Sequence, residues 1–191
     1  VDAGGQGGLS QAAFEKHYRS LFELYGPVTS VSLVNTHGNE AMLASALQNA
    51  ADLMADARLH FVPWDFHLKT KVLGYGNVDN ELVPSIDVDL GAYGYFLVTD
   101  GNSSSPSMRQ KGVVRSNCID SLDRTNVVQS VIAHRILDDA LKHMKVLNNS
   151  VDTCTVSSFR EFEMSFKATW ADHADAIAMV YVGSGALKTD Y

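Results

Sequence analysis

Residues 115–126, R-S-N-C-I-D-S-L-D-R-T-N, place Cys118 and Arg124 in a C-x5-R relationship. A β-type run at 111–117 leads into this stretch, and an amphipathic helical pattern at 126–145 leads out of it. A strand, an anion-sized loop and a helix N-terminus in this order form a phosphate pocket, because the loop amides and the helix dipole both favour an anion. The stretch therefore predicts a phosphate-binding loop between a strand and a helix.

The rest of the chain alternates helical and β-rich patterns. Helices are predicted at 10–25, 40–58, 126–145 and 157–174, and strands at 28–34, 59–64, 93–99 and 111–117. Residues 65–72 could begin a further helix, residues 74–89 are predicted to be a mobile connection, and Pro63 places its strand at a sheet edge or a strand end. This alternation predicts an α/β fold with a mainly parallel sheet flanked by helices.

The composition limits the class of protein. A chain of 191 residues that is 46% apolar can bury a proper core as one globular domain. A net charge of -7 argues against a general nucleic-acid binder, and two cysteines cannot build a disulfide framework. No apolar run approaches the roughly 18 residues of a membrane span. We expect a soluble protein, or the soluble part of one, in a reducing compartment, and because both ends look like cuts we expect a fragment.

The loop residues suit nucleophilic attack on phosphorus. A free cysteine titrates at about 8.5, and loop amides, a helix N-terminus and a guanidinium all favour its thiolate. Cys118 would attack in line, and Arg124 would stabilise the phosphoryl oxygens. A sugar or inositol alkoxide leaves poorly, so Asp120 or Asp123 would protonate it, while the Thr125 hydroxyl would donate to the sulfur.

Simpler interpretations exist for the same residues. Cys118 could be a buried structural cysteine, Thr125 a helix N-cap, and the two aspartates braces for neighbouring amides or for Arg124. The histidines of the chain show no grouping typical of metal ligands, so we predict neither a metal nor another cofactor.

Residues 115–130, R-S-N-C-I-D-S-L-D-R-T-N-V-V-Q-S, closely resemble the R-x-N-C-x-D-C-L-D-R-T-N signature of Sac-domain phosphoinositide phosphatases. Three further stretches resemble the same family: W-D-F-H at 64–67, G-Y-F-L-V-T-D at 94–100 and G-S-G-A-L-K-T-D at 183–190. The resemblance covers roughly residues 14–191. It implies that 1–191 is the catalytic part of a Sac-type phosphatase domain, with a cysteine-phosphatase-like core and without the family's N-terminal Sac subdomain.

The resemblance implies hydrolysis of a phosphomonoester from the inositol ring of a phosphoinositide, without a metal. Cys118 matches the nucleophile, Arg124 the phosphate-binding arginine, and Asp120 and Asp123 the two loop aspartates. Which aspartate donates the proton is left open, with Asp123 preferred because it lies beside Arg124. Ser121 replaces a second loop cysteine that is not the nucleophile, so activity should survive its loss.

Seven further residues are predicted to contact the substrate: Arg115, Ile119, Ser121, Leu122, His67, Lys69 and Lys188. The loop members would do so mainly through their backbone amides. Arg115 is as well suited to bracing the loop, His67 and Lys69 could equally belong to a solvated helix face, and Lys188 could be an ordinary surface lysine.

The expected partner is a phosphoinositide lipid in a membrane surface, with no nucleic acid, and the expected location is cytoplasmic, facing a membrane. Two alternatives remain open. One is a catalytically weak phosphoinositide-binding or scaffolding module, and the other is a C-x5-R phosphatase that acts on soluble inositol phosphates or phosphotyrosine. The sequence does not identify the ring phosphate that is removed.

Overall fold

The secondary structure of the chain comes from a computed structural model that describes residues 4–99, 105–147 and 155–187. The helices are α1 (Gly4–Tyr25), α2 (Ala41–Met54), α3 (Phe66–Leu73), α4 (Val83–Tyr93), α5 (Asp123–His143) and α6 (Arg160–Tyr181). The strands are β1 (Val28–Ser32), β2 (Leu59–Pro63) and β3 (Val113–Asn117). A π-helical segment (Val78–Leu82) precedes α4, and short 3-10 turns lie at Gly38–Glu40 and Val156–Ser158.

The three strands form one sheet in the order β2-β1-β3. Strand β1 pairs with β2 in parallel, with Val28 opposite Leu59 and Ser32 opposite Pro63. Every residue of β1 is buried, as expected for the central strand, whereas Pro63 lies on the edge strand, where its missing amide costs no ladder hydrogen bond. The prediction of an α/β fold with a parallel sheet and flanking helices is confirmed.

Two predictions between β2 and the loop are wrong. Residues 74–89 are helical rather than a mobile connection, since Val78, Leu82, Ile86 and Leu90 recur every four residues and are all buried. The many Gly, Asn and Asp residues of this segment hide that period in the sequence. Residues 93–99 are not a strand, because α4 runs on to Tyr93 and only an isolated antiparallel bridge joins Leu97 to Met108.

The chain divides into two compact units. The first unit comprises Val1–Asp65 and Val88–Arg115, and the second comprises Phe66–Asp87 and Ser116–Tyr191. In the first unit, Tyr18 and Phe22 of α1 pack with Val28 of β1 to form a small apolar core.

The turn between α1 and β1 requires a glycine. Gly26 has a backbone φ of +80, and a Cβ added there would lie 2.3 Å from the Lys111 carbonyl oxygen. Replacing Gly26 with Ala should therefore lower the free energy of unfolding by about 3 kcal/mol, since strain in the left-handed region adds to a backbone clash. Urea unfolding curves measure the loss.

Gly91 of α4 provides the matched control. A Cβ at Gly91 would meet no atom within 4 Å. Replacing Gly91 with Ala should raise the free energy of unfolding by about 0.5–1 kcal/mol, because alanine loses less conformational entropy in a helix. Equal urea midpoints for the two variants would contradict the role given to Gly26.

In the second unit, His134 of α5 joins α5 to α6. Its Nε2 lies 2.8 Å from Glu163 Oε2, and its Nδ1 lies 3.8 Å from Asp138 Oδ2. Lys167 of α6 lies 3.4 Å from the other Glu163 oxygen. The carboxylate of Glu163 therefore lies between two basic groups.

None of the helices in the described ranges combines the length and the apolar character needed to cross a membrane.

The contacts of Glu163 with His134 and Lys167 should make the free energy of unfolding depend on pH. Burial acts to raise the pKa of Glu163, but hydrogen bonds and charge from His134 and Lys167 outweigh it and lower the pKa. A lowered folded-state pKa stabilises the fold above the ordinary value, and that stabilisation disappears as the pH falls through the folded-state value. Replacing Glu163 with Gln should cost about 1 kcal/mol at pH 7, and the difference should vanish in strong acid. Thermal melts between pH 7 and pH 3 test this, and the exposed Glu161→Gln variant is the control.

Candidate functional site

The loop between β3 and α5 consists of residues 118–122. Strand β3 ends at Asn117, and α5 begins at Asp123, so the loop turns the chain within five residues. Ser121 takes part in this turn with a φ of 57, in the left-handed region. The amide of Asn126 donates to the Leu122 carbonyl at 2.9 Å and closes the first turn of α5. A strand therefore leads into the C-x5-R stretch and a helix leads out of it, as predicted, although the helix begins earlier than residue 126.

The thiol of Cys118 is buried and has two polar neighbours. Only 4% of the residue is exposed. Its Sγ donates to Asp120 Oδ1 at 3.1 Å, and Thr125 Oγ1 donates to Sγ at 3.5 Å. Thr125 lies in the first turn of α5, whose N-cap residue is Leu122, so its hydroxyl is directed at the sulfur without being an N-cap. The loop thus holds one thiol between a carboxylate and a hydroxyl.

Asp120 is held in its charged form. Burial acts to raise its pKa, but hydrogen bonds from the Cys118 thiol, the Leu122 amide and its own amide outweigh that effect, and the charge of Arg124 adds to them. The pKa of Asp120 is therefore lowered. An ionised carboxylate that accepts the thiol hydrogen bond can also accept the thiol proton.

A cleft of about 170 Å³ lies beside the loop, within the second unit. Its lining includes Asp123 and Thr125 from the start of α5, and Trp170, His173 and Ile177 from α6. The cleft is therefore formed by the end of the loop, the first two turns of α5, one face of α6 and Ala186 of the segment after α6. Among the described residues, no group of three His, Cys, Asp or Glu side chains could hold a metal ion.

Comparisons with known proteins identify relatives over most of the chain. The family model described as the SacI homology domain matches residues 6–71. Phosphatidylinositol-3-phosphatase SAC1-B of Danio rerio is 37% identical over 93% of this chain. Phosphoinositide phosphatase SAC8 of Arabidopsis thaliana is 36% identical over 92% of it, and phosphatidylinositol-3-phosphatase SAC1 of Saccharomyces cerevisiae is 33% identical over 94% of it. The chain is related to Sac-domain phosphoinositide phosphatases. It spans 29% of the length of each of these three relatives.

Asp123, the second aspartate of the Sac-type signature, contacts the segment that follows α6. Its Oδ1 accepts the Leu187 amide at 2.9 Å, and Asp175 Oδ1 accepts the neighbouring Ala186 amide at 2.8 Å. Two carboxylates thus accept hydrogen bonds from consecutive amides of the G-S-G-A-L-K-T-D stretch, one of the stretches that resemble the family. Asp120 therefore contacts the Cys118 thiol, whereas Asp123 contacts the backbone amide of Leu187.

The other residues of the C-x5-R stretch differ in exposure. Arg124 is half-buried in the first turn of α5. The side chain of Ile119 is 54% exposed, so a contact of this residue with a bound phosphate would come from its backbone. Ser121 and Leu122 lie on the wall of the cleft.

Three of the predicted substrate contacts outside the loop lie in other elements and have contacts there. Arg115 belongs to the first unit, where its guanidinium lies 5.9 Å from the Tyr18 ring centroid. Lys69 of α3 forms an ion pair with Glu81 of the π-helical segment. The exposed His67 ring packs edge-on against its neighbour in α3, with 5.8 Å between the ring centroids. Lys188 lies outside the described residues. The substrate-binding roles of these four residues stay predictions.

Sequence reasoning missed the cleft residues on α6. Asn126 is 5% exposed, its Nδ2 donates to the Trp170 carbonyl at 3.1 Å, and its Oδ1 accepts from His173 Nδ1 at 2.9 Å. From the sequence, His173 was only one of the histidines without a metal-ligand grouping, and Trp170 was only a core aromatic residue of the helix predicted at 157–174. The one local signal was their three-residue spacing, which puts both on one face of α6.

Proposed function

We propose that this chain is the catalytic part of a Sac-type phosphoinositide phosphatase, with a cysteine-phosphatase-like core. It would hydrolyse a phosphomonoester of the inositol ring through a phosphocysteine intermediate on Cys118. The observation that carries the proposal is the buried Cys118 thiol between Asp120 and Thr125, in a C-x5-R loop that opens α5. The names of the relatives indicate the substrate class. Two of these relatives are phosphatidylinositol-3-phosphatases, which makes the 3-phosphate the first candidate for the group that is removed.

In the first step, the thiol proton moves to Asp120 and the Cys118 sulfur attacks phosphorus. The bond between phosphorus and the inositol oxygen breaks, and Asp120 returns its proton to that leaving oxygen, which is far more basic than a carboxylate. Arg124 and the amides of loop residues 119 and 121 would stabilise the charge on the phosphoryl oxygens, while the Leu122 amide holds Asp120. The proton that leaves sulfur is thus the proton that the alcohol product carries.

In the second step, water attacks the phosphocysteine while the Asp120 carboxylate accepts a water proton. The bond between sulfur and phosphorus breaks, and the thiolate is stabilised by the Thr125 hydroxyl at 3.5 Å. In this scheme, Asp120 accepts and donates every proton that is transferred. The scheme gives Asp123, which the sequence favoured as the proton donor, the role of a positioning residue that binds the Leu187 amide.

The proposed setting is the cytoplasmic face of a membrane, where a phosphoinositide headgroup is presented to the loop. A net charge of -7 gives the chain no general attraction to nucleic acid or to an anionic bilayer, so recognition would rest on the site. Because the chain spans 29% of the length of its relatives, we infer that it corresponds to part of a longer Sac-type protein.

The test is phosphate release by the protein from vesicles that each contain one phosphoinositide, with EDTA present. We expect release from at least one lipid, and rapid denaturation during turnover should trap phosphate on the protein. Loss of activity in EDTA would overturn the thiolate mechanism. Lipid binding without release would favour the binding module, and faster turnover of a phosphotyrosine peptide or a soluble inositol phosphate would favour the other alternative.

A further inference from the structure

The cleft beside the loop has room for more than the transferred phosphate. Its volume of about 170 Å³ is several times the roughly 30 Å³ that one water molecule occupies. Its lining includes Ser121, Leu122, Asp123 and Thr125, and Thr125 also contacts the Cys118 sulfur, so a group attached to a phosphate on the loop would lie next to this cleft.

The cleft combines an apolar wall with fixed polar groups. Trp170 and Ile177 supply apolar surface, and Asn126, Gln129 and His173 supply hydrogen-bonding groups. The one ionised side chain among its lining residues in the described part of the chain is Asp123, whose negative charge disfavours a second anion there. A ring with C–H faces and hydroxyl edges, a cyclic polyol, has the chemistry that matches this lining.

Asn126 determines which nitrogen of His173 is available to a ligand. The Asn126 amide nitrogen donates to the Trp170 carbonyl, so its Oδ1 is the acceptor and His173 Nδ1 is the donor. In the neutral imidazole the lone pair then lies on Nε2. Within the described ranges, His173 forms no hydrogen bond besides the one to Asn126. Its Nε2 is therefore a preset acceptor on a residue that lines the cleft.

We propose that this cleft binds the cyclic polyol that carries the transferred phosphate, and that His173 Nε2 accepts a hydrogen bond from a ring hydroxyl. Trp170 and Ile177 would pack against the ring carbons. His173 is then a specificity-determining residue, and Asn126 is the positioning residue that fixes its tautomer. This inference rests on the proposed function, which supplies the cyclic polyol phosphate as ligand.

The test measures binding in a Cys118→Ser background, so that it does not depend on turnover. The ligands are a soluble short-chain phosphoinositide with one ring phosphate and, as the probe of the loop alone, inorganic phosphate. His173→Phe keeps an aromatic ring beside Trp170 but removes both nitrogens, and His173→Gln keeps a donor for Asn126. Each variant should weaken phosphoinositide binding about ten-fold, the effect of one lost hydrogen bond, and leave phosphate binding within about two-fold.

The neighbouring Asp172→Asn variant is the matched control on α6, and it should change neither affinity. If both His173 variants bind the two ligands as the parent does, the inference is wrong. If they weaken both ligands equally, His173 merely supports the loop, and the inference is again wrong. A wild type that releases no phosphate, combined with a selective loss of phosphoinositide binding in the variants, would overturn the proposed function and leave the polyol site standing.

Discussion

Replacing Cys118 with Ser should lower phosphate release from phosphoinositide vesicles by about 10⁴-fold or more, because a serine hydroxyl is a far weaker nucleophile than a thiolate. The exchange is nearly isosteric at a position that is 4% exposed, and the hydroxyl can keep both polar contacts, to Asp120 and from Thr125. The variant should therefore fold as the wild type does and still bind the lipid. Phosphate release, thermal melting and vesicle binding are measured on the same preparation.

The second cysteine of the chain provides a chemical control for this result. Cys154 lies outside the described residues and in no motif of the sequence, so Cys154→Ser should retain full activity. Activity of the Cys118→Ser variant above about a tenth of the wild-type rate would rule out Cys118 as the nucleophile. Inactivity of the wild type, with lipid binding unchanged by the substitution, would instead support the scaffolding alternative.

The sequence predicts the loop and its flanking elements well, because the signals are local. The spacing of Cys118 and Arg124, the β-branched run before them and the apolar period after them all lie within 35 residues of chain, 111–145. The residues from Val78 to Leu90 carry an equally regular period, but Gly74 and Gly76 before them and the Asn and Asp residues among them are typical of a loop. Tertiary burial of four apolar side chains decides in favour of the helix there.

The contacts of the site are less accessible to sequence reasoning, because most of them are long-range. Asp123 contacts Leu187, which is 64 residues away, and His173 contacts Asn126 across 47 residues. Nothing in the local pattern encodes either pair. The distinction between the two aspartates rests on these contacts, since Asp120 accepts from the Cys118 thiol whereas Asp123 accepts from the Leu187 amide. The motif therefore names the candidates without assigning their roles.

Replacing Asp120 with Asn should lower kcat by about 10²–10⁴-fold, the usual contribution of a positioned acid–base group. The amide can still contact the thiol but can neither accept its proton nor give one to the inositol oxygen. The pKa of the wild-type carboxyl is lowered, so Asp120 stays ionised to a lower pH than an ordinary aspartate, and any acidic limb that it causes should lie below the usual value for aspartate. That limb should be absent in the variant, whose residual rate is measured from pH 3 to pH 8.

Asp123→Asn is the matched variant, since it makes the same chemical change three residues away, at the start of α5. Its amide oxygen can still accept the Leu187 amide, so we expect a loss of at most about ten-fold, mostly in KM. An aryl phosphate separates proton donation from the other effects, because a phenolate leaves without an acid and the Asp120→Asn defect on it should shrink. If Asp123→Asn instead shows the larger loss of kcat on the lipid and a smaller loss on the aryl phosphate, the proton donor is Asp123, and the contact between Asp120 and the thiol serves only to hold the loop.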